Sequence, residues 1–187
     1  MDRDLVERAI AGDREAFSEL VRRSIDRLYA VARLILRDAG RAEDATQEAL
    51  VLAWRDLSSL RDPDRFEAWL HRVLVRACYR EARRDRDTRR SVVRQLESSA
   101  PFDRHAPDSS LGLAERDALE RGFRRLDTDE RTLLVLHYYL GYSISEVAAT
   151  LGVPAGTAKS RLNRATAAMR AALEADARLP LRNGASA

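Results

Sequence analysis

SISEVAATLGVPAGTAKSRLNRATAAMRAAL, Ser143 to Leu173, is the stretch on which the reading of this chain turns. Ser143 followed three places later by Glu146 has the spacing of a capping box. In that motif the hydroxyl accepts a backbone N–H of the first helical turn, and the carboxylate accepts the cap's own N–H. A helix is expected to start there, with Ile144, Val147, Ala148 and Leu151 along one side. Gly152 supplies the residue that most cheaply takes the left-handed conformation ending a helix. Val153 completes the turn, and Pro154 suits the opening of a second helix, where its missing N–H leaves no bond unmade. Ala158, Leu162, Ala165 and Met169 then recur at spacings of four, three and four, a stripe that faces inward.

The opposite side of that second helix carries Thr157, Ser160, Asn163 and Arg164, flanked by Lys159 and Arg161. Between Pro154 and Leu173 there are four basic residues and no acid. Short polar side chains permit close approach to the DNA major groove, and Arg or Lys reaches guanine or phosphate. The same pattern also fits a helical hairpin with a solvated basic face, so periodicity alone leaves both readings open. The letters go further. YSISEVAATLGVPAGTAKSRLNRA, Tyr142 to Ala165, closely resembles region 4, the segment that reads the minus-35 element in bacterial sigma factors of the extracytoplasmic-function (ECF) group. The resemblance implies minus-35 contacts for Thr157, Lys159, Ser160, Arg161, Asn163 and Arg164. LDTDERTLLVLHYYLGYS, Leu126 to Ser143, resembles the first half of region 4. Its apolar run from Arg131 to Leu140 reads as one helix ending at Gly141, with His137, Tyr138 and Tyr139 as packing or interface residues.

Composition agrees with an all-α chain. Of 187 residues 45% are apolar and only eight are Gly and five Pro, which favours helices over turn-rich sheet and provides for two small helical domains. The net charge of +3 hides an uneven distribution. Residues 1–50 carry nine basic and eleven acidic groups, whereas 51–100 carry twelve against eight, and eight arginines fall between Arg76 and Arg94. Such a stretch suits a polyanion, though it also suits a solvated helix end. The lone cysteine, Cys78, rules out an internal disulfide and a cysteine-based metal cage. No run approaches the roughly 18 apolar residues of a membrane span, and no apolar leader follows the amino terminus, so a cytoplasmic protein without membrane insertion is expected. No nucleophile–base set, glycine-rich phosphate loop or metal spacing is present; we expect no enzyme, no catalytic residue, no metal and no cofactor. His71, without a second ligand at suitable spacing, reads as a surface or partly packed histidine.

Earlier in the chain, a short helix is expected over residues 2–11, interrupted at Gly12. Asp13 then caps a longer helix through Phe17, Leu20, Val21, Leu28, Ala32 and Ile35, with Asp38-Ala39-Gly40 as its exit and Phe17 and Tyr29 as packing residues. A helix from Ala42 to about Leu57 turns Ala45, Ala49, Leu52 and Ala53 inward and Glu43, Asp44, Gln47 and Glu48 outward, with Trp54 in the core. AEDATQEALVLAW, Ala42 to Trp54, resembles the part of sigma region 2 that docks on the clamp helices of RNA polymerase, which implies polymerase contacts for Asp44, Gln47 and Glu48. Residues 58–65, SSLRDPDR, read as a loop. FEAWLHRVLVRACYREARR, Phe66 to Arg84, resembles the helix that, with the loop before it, melts and reads the minus-10 element. Melted bases need a pocket of loop backbone and polar groups, and the displaced strand needs a positive track for its phosphates. Ser58, Ser59, Leu60, Arg61 and Asp62 are candidates for the first, and Arg80, Arg83, Arg84 and Arg86 for the second. Where the family often has asparagine seven residues after the tryptophan, this chain has Arg76, so Arg76 is a minus-10 candidate whose base preference does not carry over.

The expected organisation is a region 2-like domain over 1–86, a flexible linker over 87–112, a region 4-like domain over 113–175 and a mobile tail over 176–187. The resemblance implies a promoter-specificity subunit that binds core RNA polymerase (clamp helices and flap) and promoter DNA, with an anti-sigma factor as a further partner. The alternative from a different class is a stand-alone helix-turn-helix regulator whose first domain senses a ligand or dimerises.

Overall fold

A computed structural model describes residues 2–91 and 113–177, with side chains placed over 2–84 and 117–175. Residues 92–112 of the expected linker and most of the tail lie outside the described residues, as do the side chains of Arg86 and Leu113; residues 87–91, expected as the start of the linker, continue the helix that begins at Phe66. Eight α-helices are described: α1 (Arg3–Ile10), α2 (Arg14–Leu36), α3 (Ala39–Asp56), α4 (Phe66–Ser91), α5 (Leu113–Arg125), α6 (Thr128–Leu134), α7 (Ile144–Leu151) and α8 (Ala155–Ala177).

In the first half, Asp13 caps α2 by accepting from the N–H groups of Glu15 and Ala16. The helix ends at Arg37, which takes a left-handed φ of 61°, and Asp38 then caps α3 by accepting from Arg41 N–H. Asp38 thus starts the next helix, and α3 begins at Ala39, three residues before the expected start. The inward face of α3 is almost entirely alanine. Ala42, Ala45, Ala49 and Ala53 are all fully buried, and small side chains let α2 and α4 pack closely on both sides. The larger volume comes from Val6, Leu20, Leu28, Val31 and Ile35 on one side and Phe66, Leu70, Leu74 and Ala77 of α4 on the other.

Two aromatic expectations change. Trp54 is 40% exposed, because the core face of α3 is filled by alanines and the indole lies on its shoulder, against Phe17 at 4.9 Å between ring centroids. Tyr29 is 37% exposed and lies at the edge of the packing. The loop over 58–65 contains two short 3-10 turns, Leu57–Ser59 and Pro63–Arg65.

In the second half, α6 begins at a capping box between Asp127 and Glu130 and ends at Leu134. The expected helix to Leu140 gives way to a π turn over Val135–Tyr139, an insertion that leaves the local spacing of apolar residues looking helical. Helix α8 continues to Ala177, two residues into the expected tail. The two halves meet along α2 and α4 on one side and α6 and α7 on the other, and their buried residues form one continuous cluster.

Candidate nucleic-acid interface

Helices α7 and α8 form the helix-turn-helix. The capping box at Ser143 is complete: Glu146 N–H donates to Ser143 Oγ at 3.3 Å, and Ser143 N–H donates to the Glu146 carboxylate at 2.8 Å. Those bonds hold the Glu146 carboxyl below its ordinary range. Gly152 ends α7 at φ 68°, and Val153 N–H returns to the Ala148 carbonyl, fixing the angle at which α8 departs. The stripe Ala158, Leu162, Ala165 and Met169 is buried, so the opposite face must project. Lys159, Ser160, Arg161, Asn163 and Arg164 are exposed. Thr157 is half-buried and thereby less available than its neighbours, and the Ser160 hydroxyl donates to the Thr157 carbonyl at 3.0 Å.

The second cluster lies on α4 and the loop before it. Arg76, Arg80, Arg83 and Arg84 are exposed. Arg80 and Arg84 are not free: Glu48 on α3 lies 3.5 Å from Arg80 and 3.9 Å from Arg84, and Glu81 lies 3.3 Å from Arg84. Glu48, expected to face outward, therefore leans onto α4, whereas Asp44 and Gln47 remain exposed. In the loop, Ser58, Ser59, Arg61 and Asp62 are exposed, but Leu60 is 8% exposed and belongs to the core, so its side chain is removed from the base-binding set. Ser59 Oγ donates to the Asp56 carbonyl at 2.6 Å, and Asp62 accepts the Asp64 N–H at 3.1 Å, which pins both ends of the loop.

Between the two clusters runs a set of contacts that sequence reading missed. Arg131 Nε donates to the carbonyl of Ile35 at the end of α2, at 2.6 Å, while Nη1 donates to the Leu126 carbonyl at 2.6 Å. Arg37 pairs with Glu120 of α5 at 3.0 Å. His71 is buried within α4, and its Nδ1 lies 2.7 Å from the hydroxyl of Tyr142. Burial lowers the His71 pKa to about 4 and raises that of Tyr142 to about 12. The histidine expected to be at the surface or partly packed is fully buried and ties the two halves together. No group of His, Cys, Asp or Glu able to hold a metal occurs among the described residues, and no described helix is long and apolar enough to cross a membrane.

Residues 20–88 match the Sigma-70 region 2 family, and residues 116–169 match Sigma-70 region 4. The chain is 36% identical to the ECF RNA polymerase sigma factor SigM of Mycobacterium tuberculosis, over 89% of this chain and 81% of that one. The chain belongs to the ECF sigma factors. It is also 32% identical to SigL of the same species, over 88% of this chain and 95% of that one. Among solved structures it is similar to CnrH in complex with the cytosolic domain of CnrY, with a TM-score of 0.64 and 31% identity, covering 94% of this chain and 98% of that one. It is similar too to the sigma factor RpoE in complex with the anti-sigma factor NepR from Bartonella quintana, with a TM-score of 0.69 and 28% identity, covering 86% and 98%. As an ECF sigma factor the chain binds core RNA polymerase and directs it to promoters, which sets aside the stand-alone regulator.

Proposed function

We propose that residues 113–175 read the minus-35 element through α8, that residues 1–86 open and read the minus-10 element through α4 and its preceding loop, and that α3 docks on the polymerase clamp helices. The observation that carries the first assignment is the opposition on α8: a buried Ala158, Leu162, Ala165, Met169 stripe forces Ser160, Asn163 and Arg164 outward from a rigidly capped turn. Ser160, Asn163 and Arg164 meet base edges or adjacent phosphates, and Lys159 and Arg161 anchor and steer. On α4, Arg76 and Arg83 are the freest positive charges for the displaced strand, with Arg80 and Arg84 released only if Glu48 moves to the polymerase. Ser58, Ser59, Arg61 and Asp62 form the exposed rim for melted bases. Asp44, Gln47 and Glu48 meet the clamp helices, and the region 4-like half meets the flap. The similarity to factors solved with CnrY and with NepR supports an anti-sigma protein as a further partner. A reducing, cytoplasmic setting suits a factor whose only cysteine, Cys78, is buried with its thiol pushed up to about 12.

The test is promoter selection from a randomised library with holoenzyme carrying Ser160→Ala, Asn163→Ala, Arg164→Ala or Lys159→Ala. A base-reading residue should cost about 1 to 3 kcal/mol on the preferred minus-35 sequence and much less on a scrambled one, whereas an anchor should weaken both alike. If all four variants lower affinity without altering the selected minus-35 sequence, α8 does not read bases.

A further inference from the structure

We propose that the cleft between the two halves of the closed molecule is a binding site for a small polyphosphate anion, held by arginines from both sides. The cleft has a volume of about 670 Å³. Helix α4 turns Arg76, Arg80 and Arg83 into it from one face, Arg55 of α3 lines its edge, and Arg161 of α8 enters from the opposite half. The acids lining it are Asp56, paired with Arg55 at 3.0 Å, and Asp129. Arg80 has Glu48, but Arg76, Arg83 and Arg161 have no ion-pair partner among the described residues.

Positive groups from the two halves therefore face one another across an open-sided cleft, where each raises the cost of closure. An anion that reaches both walls removes that cost, and it binds the closed arrangement better than any arrangement in which the walls part. Three features set its class. More than one negative charge is needed to engage guanidinium groups on opposite walls. Planar guanidinium forks match phosphate oxygens in pairs of parallel hydrogen bonds. The volume is that of a small-molecule pocket and does not admit a duplex. Vicinal phosphates meet all three, whether as an inorganic chain or on a nucleotide, and Leu52, Val73 and Leu151 offer an apolar side against which a base would lie. This site depends on the closed arrangement alone and not on which bases α4 and α8 contact.

The experiment is calorimetric titration of the full chain with inorganic tripolyphosphate and, separately, with a nucleoside triphosphate, without divalent cations and at constant ionic strength, with sulfate as comparator. A pair of dyes on α2 and α8 reports the separation of the halves during each titration. Both phosphate compounds should bind more tightly than sulfate and hold the dye separation at that of the closed arrangement, and a lengthening on binding would contradict the proposal. Arg76→Ala and Arg161→Ala should each weaken binding about tenfold or more, the loss expected for a hydrogen bond to a charged group. Arg14→Ala, at the exposed start of α2, should leave binding unchanged. Equal affinity for the two compounds assigns the site to the phosphate chain, and tighter binding of the nucleotide assigns it to a nucleotide. Arg76 and Arg161 are exposed and have no ion-pair partner among the described residues, so both variants should fold, which circular dichroism checks. Sulfate binding as tightly as tripolyphosphate, or Arg161→Ala retaining wild-type affinity, would overturn the proposal by reducing it to diffuse attraction to the arginine-rich end of α4.

Discussion

His71 is 2% exposed, and its surroundings keep it neutral: burial lowers its pKa to about 4, Arg27 adds to the lowering, and Glu67 opposes it. The unfolded chain takes up the same proton near 6.5. Between those two values the unfolded state binds more protons, so stability should fall as pH drops below about 6.5 and level off near 4. By pH 5 the loss from this group is about 2 kcal/mol. Urea unfolding at pH 7 and pH 5 measures it, and a His71→Gln variant should lack this part of the difference. Asp13, Glu19 and Glu146, held by their partners below ordinary carboxyl values, begin to lose their stabilisation only as the pH falls through the unfolded carboxyl values of 3.8 to 4.5, so the comparison of pH 7 with pH 5 reports mainly on His71. Gly152 supports a simpler prediction. A Cβ there would meet nothing within 4 Å, so Gly152→Ala should cost only the left-handed backbone penalty, about 1 kcal/mol, read as a shift in the denaturation midpoint. The turn glycine was legible because glycine before valine and proline has few other uses. The state of His71 was not, because its partner, Tyr142, lies 71 residues away in the chain.

At the scale of the helix, α3 separates a docking surface from a structural bridge. Asp44 is exposed, whereas the Glu48 side chain is 25% exposed and sits between Arg80 and Arg84. Asp44→Arg should therefore weaken binding to core polymerase while moving stability by no more than about 0.5 kcal/mol. Glu48→Arg should weaken core binding and also lower the melting temperature, since it sets a third positive charge against α4. A pull-down with core enzyme beside a thermal melt distinguishes them, and full core affinity in Asp44→Arg would remove that residue from the docking face. Periodicity revealed α2, α4 and α8 because each carries a continuous apolar stripe. It misplaced the start of α3, because Asp38-Ala39-Gly40 reads equally well as an exit, and the left-handed residue that ends α2 is Arg37 where a glycine would have announced it. Trp54 was misassigned for a related reason: a large aromatic beside alanines looks like the core residue, yet the alanines admit the close helix contacts and leave the indole outside.

Across the whole molecule, the closed arrangement and promoter reading make opposing demands. A compact chain of 187 residues has a radius of gyration of about 16 Å, whereas minus-10 and minus-35 elements lie roughly 25 base pairs, or about 85 Å, apart along B-form DNA. On the proposed assignment the two halves must part before both elements are read. None of the contacts that hold them together was legible in the sequence, since each joins residues that local spacing does not relate. Arg131 spans the junction, but it also satisfies the Leu126 carbonyl within its own half, so its loss would disturb both. Arg37 isolates the effect. Its side chain is 14% exposed and pairs with Glu120 across the junction, while its backbone stands at φ 61°. Arg37→Gly removes the bridge and at the same time relieves about 1 kcal/mol of left-handed strain in α2. The first half should thus melt no earlier than wild type, while the two halves separate more readily. Losing a partly buried, hydrogen-bonded pair worth about 1 to 2 kcal/mol raises the open population roughly five- to thirtyfold, and apparent affinity for core polymerase should rise with that fraction for as long as the open form is the minor one. Small-angle scattering should give a larger radius for Arg37→Gly, and titration with core enzyme a lower Kd. An unchanged radius would mean that closure rests on Arg131 and the His71–Tyr142 bond without help from Arg37.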